Sequence, residues 1–180
     1  MSWIDQHPDM AGAFDAVSTA KSVDPKLFRE AMSRLGAAVH VITTDGPAGK
    51  TGFTATAVCS VSDAPSTLLV CLNRGSSSSP ILRGNGVFCV NTRRAGDEPV
   101  ADTFAGRTKV SREARFDTGQ WKTLATGAPA LMSAVVAFDC HISEVKAVAS
   151  HDIIFGIVQA VHSGPPGEAL VYHDRLYKKV

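Results

Sequence analysis

Between residues 37 and 180 the chain runs through short apolar stretches that are separated mostly by turn residues and seldom by a helix. They are AAVHVITT (37–44), GFTATAVCSVS (52–62), STLLVCL (66–72), GVFCVNT (86–92), LMSAVVAFDCHISEV (131–145), HDIIFGIVQAVHS (151–163) and ALVYHDRLYKKV (169–180). Strands joined by tight turns must pair antiparallel, and closing the sheet into a barrel removes its exposed edges. Six or seven strands against two or three short helices therefore predict a mainly β fold. A doubly wound nucleotide-binding sheet is excluded, since helices do not alternate with strands and no GxGxxG follows one. The turn DGPAGK predicts a hairpin between the first two runs.

Order is expected to begin at DPKLFREAMSRLG, where Asp24 caps a helix, Pro25 opens it and Gly36 stops it. Leu27, Phe28, Ala31, Met32 and Leu35 form one apolar stripe that predicts packing. Residues 1–23 lack periodicity and read as a flexible N-terminal arm, which leaves 24–180 as one domain. GDEPVADTFAG (96–106) predicts a short helix with Val100, Ala101, Phe104 and Ala105 on one face. Residues 107–128 read as a polar excursion over the surface.

Eighteen Lys and Arg against seventeen Asp and Glu give a net charge of +1, so no bulk field favours nucleic acid or an anionic membrane. No apolar run approaches the length of a membrane helix, and the first residues lack a signal-peptide pattern. Cys59, Cys71, Cys89 and Cys140 sit in strand-like runs without CxxC spacing, which predicts buried reduced thiols and a cytoplasmic protein. No histidine grouping predicts a metal.

Two stretches point to chemistry. In GFTATAVCSVS the odd positions are apolar and the even ones carry hydroxyls except Val58, which predicts one strand with a hydroxyl face. In NRGSSSSPILRGNG (73–86), Ser79 and Pro80 open a short helix directly after a strand. Its free N–H groups, the serine hydroxyls and the Arg74 guanidinium suit a phosphate. His151 stands where a loop enters a strand, a position from which a side chain reaches a cavity. These residues alone predict binding of a phosphorylated heterocycle.

The ordered set FREAMSRLGAAVHVITT, GFTATAVCSVS, TLLVCLNRGSSS, GVFCVNT, VADTFAG, GAPALMSAVVAFDC, HDIIFGIV and LVYHDRLY resembles the short-chain flavin reductase family over residues 26–178. The resemblance implies a six-stranded antiparallel Greek-key split barrel of the FMN-binding type, with short flanking helices, in a homodimer. It implies an NAD(P)H:flavin oxidoreductase that reduces FMN or FAD with NADH or NADPH and supplies a flavin-dependent monooxygenase. Alternatives are a reductase with tightly bound flavin acting on another acceptor such as a corrinoid, and a flavin-binding module without turnover. By position, Thr54, Ala55, Thr56, Val58, Cys59 and Ser60 are expected along the isoalloxazine ring, with Cys59 in contact through its backbone. Asn73, Arg74, Ser76 and Ser79 are expected at the phosphate end, and Phe104, Gly106 and Arg107 over the flavin tail. His151 and Tyr177 are expected at the nicotinamide, His151 as the catalytic residue. Phe53, Ala57 and Val61 are expected to turn into the barrel core.

Overall fold

The structure, a computed structural model, describes residues 22–180. The expected N-terminal arm lies almost wholly outside the described residues. Residues 22–35 belong to a unit of their own. Its helix α1 (Pro25–Ser33) starts as expected, with Asp24 Oδ1 accepting from the amides of Lys26 (2.8 Å) and Leu27 (3.0 Å). None of its residues is buried, so the predicted packing of the apolar stripe is not seen.

Residues 36–180 form the second unit. Its strands are β1 (Ala37–Ala38), β2 (His40–Thr44), β3 (Thr51–Ala55), β4 (Val58–Asp63), β5 (Ser66–Asn73), β6 (Val87–Thr92), β7 (Trp121–Thr123), β8 (Pro129–Leu131), β9 (Val136–Val148), β10 (His151–Ser163), β11 (Leu170–His173) and β12 (Leu176–Lys179). Helices α2 (Ser79–Asn85) and α3 (Glu98–Phe104) and a 3-10 turn (Ala114–Thr118) complete it. The main sheet has the order β3-β2-β6-β9-β10-β5-β4 and is antiparallel throughout. From β5 the chain crosses the β9–β10 hairpin through α2 to reach β6, a connection of the Greek-key kind.

The two outermost strands of this sheet, β3 and β4, are consecutive in the chain and joined by Thr56 and Ala57 alone. A two-residue link spans at most roughly 10 Å. The sheet must therefore curl until its ends meet, and the seam between them makes it a split barrel. Seven strands stand where six were expected, because Thr51–Asp63 is two strands rather than one.

The break also corrects the expected alternation. Phe53 and Ala55 pack against the barrel interior, and so does Val58, three residues on from Ala55. After the link Val58 alone of β4 turns inward, and Cys59 to Asp63 are all exposed. A bulge between Ser60 and Ser62 disturbs the register again, leaving Val61 48% exposed, with Ala57 and Cys59 also exposed. Of the four cysteines, Cys89 and Cys140 alone are buried, while Cys71 is half-buried.

Strand β6 explains its unbroken apolar run, for it is buried at every position. Phe88 and Val90 join Ile42, Val70 and Ile154 inside the barrel. Val87 and Cys89 face a second cluster outside it, with Val41, Phe104 and Phe116. A strand covered on both faces has no polar side to show. The polar excursion is built around rings: Phe104, Phe116 and Trp121 meet edge to face with centroids 5.1 to 5.5 Å apart. The closing run is a hairpin, turning at Asp174 and Arg175 with φ of 52° and 60°.

Candidate active site

The seam opens into a cavity of about 490 Å³. One wall is the end of β3 with the link, Phe53 to Ala57; opposite lie Cys71, Leu72 and Asn73 at the end of β5. Ser76, Ser77 and Ser78 form one end, Phe104, Ala105 and Gly106 a third side, and Arg115 and His151 complete the lining.

Local bonds hold each wall. The Thr54 hydroxyl donates to the carbonyl of Ala101 (2.6 Å), which fastens β3 to α3. Asn73 Oδ1 accepts from the Gly75 amide (2.8 Å) and reverses the chain into the serine run. Ser78 Oγ lies 3.0 Å from Thr51 Oγ1, tying that run to β3. His151 is paired with Asn73 in the β5–β10 ladder, so both stand at one corner of the cavity. Its Nδ1 lies 2.9 Å from Ser150 Oγ.

Among the described residues no carboxylate lines this cavity, whose polar side chains are hydroxyls, Asn73, His151 and the guanidinium of Arg115. Arg115 Nη1 donates to the carbonyl of Gly52 (3.4 Å), while its buried Nε has no hydrogen-bond partner among the described residues. A half-buried guanidinium with spare donors beside a run of hydroxyls is a setting for a phosphate or carboxylate.

A smaller cavity of about 220 Å³ shares Thr54, Ala55, Thr56 and Ala105 with the first, and is closed by Val39, Arg107, Tyr172 and Tyr177. Asp102 Oδ1 accepts from Arg107 Nη1 (2.6 Å) and from the Tyr177 hydroxyl (2.9 Å). Burial, with the Asp102 carboxylate adding to it, pushes the Tyr177 phenol up to about 12. The rings of Tyr172 and Tyr177 meet at 64° with centroids 5.5 Å apart.

Thr54, Ala55, Thr56, Asn73, Ser76, Phe104, Gly106 and His151 are thus brought together around the larger cavity, and Arg107 and Tyr177 around the smaller. Five expected residues are not. Val58 packs toward the barrel interior, while Cys59 and Ser60 are exposed on β4. Arg74 turns away, its Nη2 donating to the carbonyl of Ala149 (2.7 Å). Ser79 is buried beneath the serine run with its hydroxyl 3.4 Å from Asp152 Oδ2, which also lies 3.4 Å from Arg83 Nη1. Sequence reasoning missed Arg115 because it lies in a polar stretch without periodicity; the one signal there was the neighbouring aromatic pair Phe116 and Trp121. It also missed Cys71, whose thiol burial pushes up, so that the cavity meets a neutral S–H.

Residues 32–180 match the model of the flavin reductase like domain. The chain is 54% identical over 164 residues to FMN reductase (NADH) RutF 1 of Methylorubrum extorquens, covering 91% of this chain and 81% of that protein. BorF, the flavin reductase component of a bacterial two-component tryptophan halogenase, has a TM-score of 0.81 at 28% identity, covering 87% of this chain and 98% of that one. The NADH:FAD oxidoreductase SgcE6 of Streptomyces globisporus, solved in complex with NAD and FAD fragments, has a TM-score of 0.79 at 27% identity, covering 89% and 97%. The split barrel, the cavity at its seam and a match running from α1 to the last residue agree: the chain belongs to the flavin reductase-like family.

Proposed function

We propose that the seam cavity binds FMN and that the chain is an NAD(P)H:flavin oxidoreductase. NADH and FMN are the pair in the name of the 54%-identical relative, and FAD appears in that of a 27%-identical structure. The observation that carries this reading is the lining itself. Small residues, Ala55 and Ala57, leave room for a flat ring against the link, and the serine run with Arg115 supplies donors and charge for a phosphate. Among the described residues lining the cavity, no carboxylate opposes that charge.

When bound, the flavin supplies hydride-accepting chemistry at its ring, so the protein needs neither a nucleophile nor a metal. The chain's own work is placement. Asn73, Ser76 and Arg115 would hold the polar end, Phe104 would pack beside the flavin, and His151 at the corner would contact the nicotinamide. Tyr177, in the adjoining pocket, would contact it as well. Stacking the two rings at the distance hydride transfer requires is what these contacts accomplish.

The product, reduced flavin, passes to a monooxygenase component; BorF, which is the flavin reductase component of a two-component tryptophan halogenase, supports such a division between two proteins. A homodimer of the domain 24–180 is part of the same reading, supported by the exposed Val61 on the unpaired edge of β4. A reducing cytoplasm suits the four free thiols.

Oxidation of NADH followed at 340 nm tests the activity, with FMN, FAD and riboflavin as acceptors. Arg115→Ala is expected to raise the Kd for FMN roughly tenfold and to leave riboflavin, which lacks the phosphate, unchanged. An equal loss for both flavins would take the phosphate away from Arg115.

A further inference from the structure

Arg74 was expected at the phosphate, yet both its backbone and its side chain bind the tip of the β9–β10 hairpin. Its amide donates to the carbonyl of Ser150 (3.0 Å) and its Nη2 to the carbonyl of Ala149 (2.7 Å). Ala149 is held at φ 48°, in the left-handed region, so this tip has one particular and costly shape. The next residue, Ser150, places its hydroxyl 2.9 Å from Nδ1 of His151. His151 is the first residue of β10 and lines the cavity.

We infer that Ser150 and Arg74 are positioning residues for His151: Ser150 fixes the imidazole and Arg74 fixes the turn that carries both. The hydroxyl engages Nδ1 in either tautomer, because a serine both donates and accepts. Nε2 is then the ring nitrogen left for a ligand in the cavity. Without the hydroxyl, the ring of a side chain at a hairpin end turns freely about χ2. Arg74 acts one step further back. Its two bonds hold consecutive carbonyls, those of residues 149 and 150, so the turn cannot relax without breaking both. This assigns the arginine a task unrelated to flavin phosphate.

The inference rests on the reading that His151 contacts the nicotinamide, and the experiment separates the two. Steady-state NADH oxidation is measured with FMN and with riboflavin for wild type, His151→Ala, Ser150→Ala, Ser150→Thr and Arg74→Ala. Loss of one orienting hydrogen bond is expected to lower kcat about fivefold in Ser150→Ala, with KM for FMN within about twofold of wild type. Ser150→Thr, which keeps the hydroxyl, is expected to recover the activity. Arg74→Ala is expected to lower kcat by the same factor with both flavins. In the flavin-free protein, imidazole NMR of Ser150→Ala is expected to move one histidine, the one absent from His151→Ala.

A Ser150→Ala protein as active as wild type, beside an impaired His151→Ala, overturns the inference alone. So does an Arg74→Ala protein that loses FMN but keeps riboflavin, which would return the arginine to the phosphate. Full activity in His151→Ala overturns the underlying reading and the inference together.

Discussion

Gly52 lies so close beneath the ring of Phe104 that a Cβ there would stand 2.7 Å from Cε1 and 2.9 Å from the carbonyl oxygen of Ile42. Strand β3 and helix α3, two walls of the cavity, are in direct contact through this missing methyl. Phe104 cannot yield easily, since Phe116 and Trp121 hold it edge-on from the other side. Gly52→Ala is expected to cost about 1–3 kcal/mol by urea unfolding and to weaken FMN binding as the ring is displaced. An unchanged unfolding midpoint would show that the backbone absorbs the methyl.

His40 sits on β2 with Nδ1 3.1 Å from Thr92 Oγ1, and burial lowers its pKa from 6.5 to about 4. With the folded value below the unfolded one, the unfolded chain takes up the proton first. The stability that neutral His40 carries is present above pH 6.5 and is lost as the pH falls through about 4. Between pH 7 and pH 5 this amounts to about 2 kcal/mol. His40→Asn should flatten the pH dependence of urea unfolding by that amount, and an unaltered slope would assign it to other groups.

The thiols provide an independent map of the seam. Cys59 is exposed, Cys71 lines the cavity with its pKa raised by burial, and Cys89 and Cys140 are buried. Burial and the nearby Asp139 carboxylate push Cys140 up to about 12. Ellman's reagent at pH 8 is expected to label Cys59 quickly and Cys71 slowly, with the other two reacting only in denaturant. FMN should slow Cys71 further; labelling indifferent to FMN would put the ligand outside this cavity.

Tyr177 separates ring from hydroxyl. Tyr177→Phe keeps the contact with Tyr172 and removes the bond to Asp102, whereas Tyr177→Ala removes both. If the ring meets the nicotinamide, Tyr177→Ala raises KM for NADH roughly tenfold and Tyr177→Phe changes it less than about threefold. Similar effects from both would give the work to the hydroxyl.

The barrel was readable in the sequence where strands are unbroken apolar runs, as β5 and β6 are. The break at Thr56 and Ala57 was not. Nothing in a run of small and hydroxyl residues shows that the pairing partner changes from β2 to β5 halfway along. That break, with the bulge between Ser60 and Ser62, accounts for the exposure of Ala57, Cys59, Ser60 and Val61. His151 and Ser76 reach the cavity from a strand end and a turn, which have local signatures in the sequence. Arg115 reaches it by a tertiary path that leaves no local signature, and Arg74 and Ser79 point elsewhere because side-chain direction just past a strand end depends on which loop lies beside it.

The seam has a further meaning for a chain built mostly of strands. A sheet whose terminal strands lack partners offers templates to other chains. Here those strands are tethered to each other by two residues, so each is kept beside a curved cavity rather than presented as a flat ribbon. Cutting the backbone between Thr56 and Ala57, as a circular permutant would, breaks no ladder in the sheet, yet it would release both edges at once. The short link that shapes the cavity is therefore also a guard against open-ended strand-by-strand aggregation, which differs from the closed pairing of a dimer.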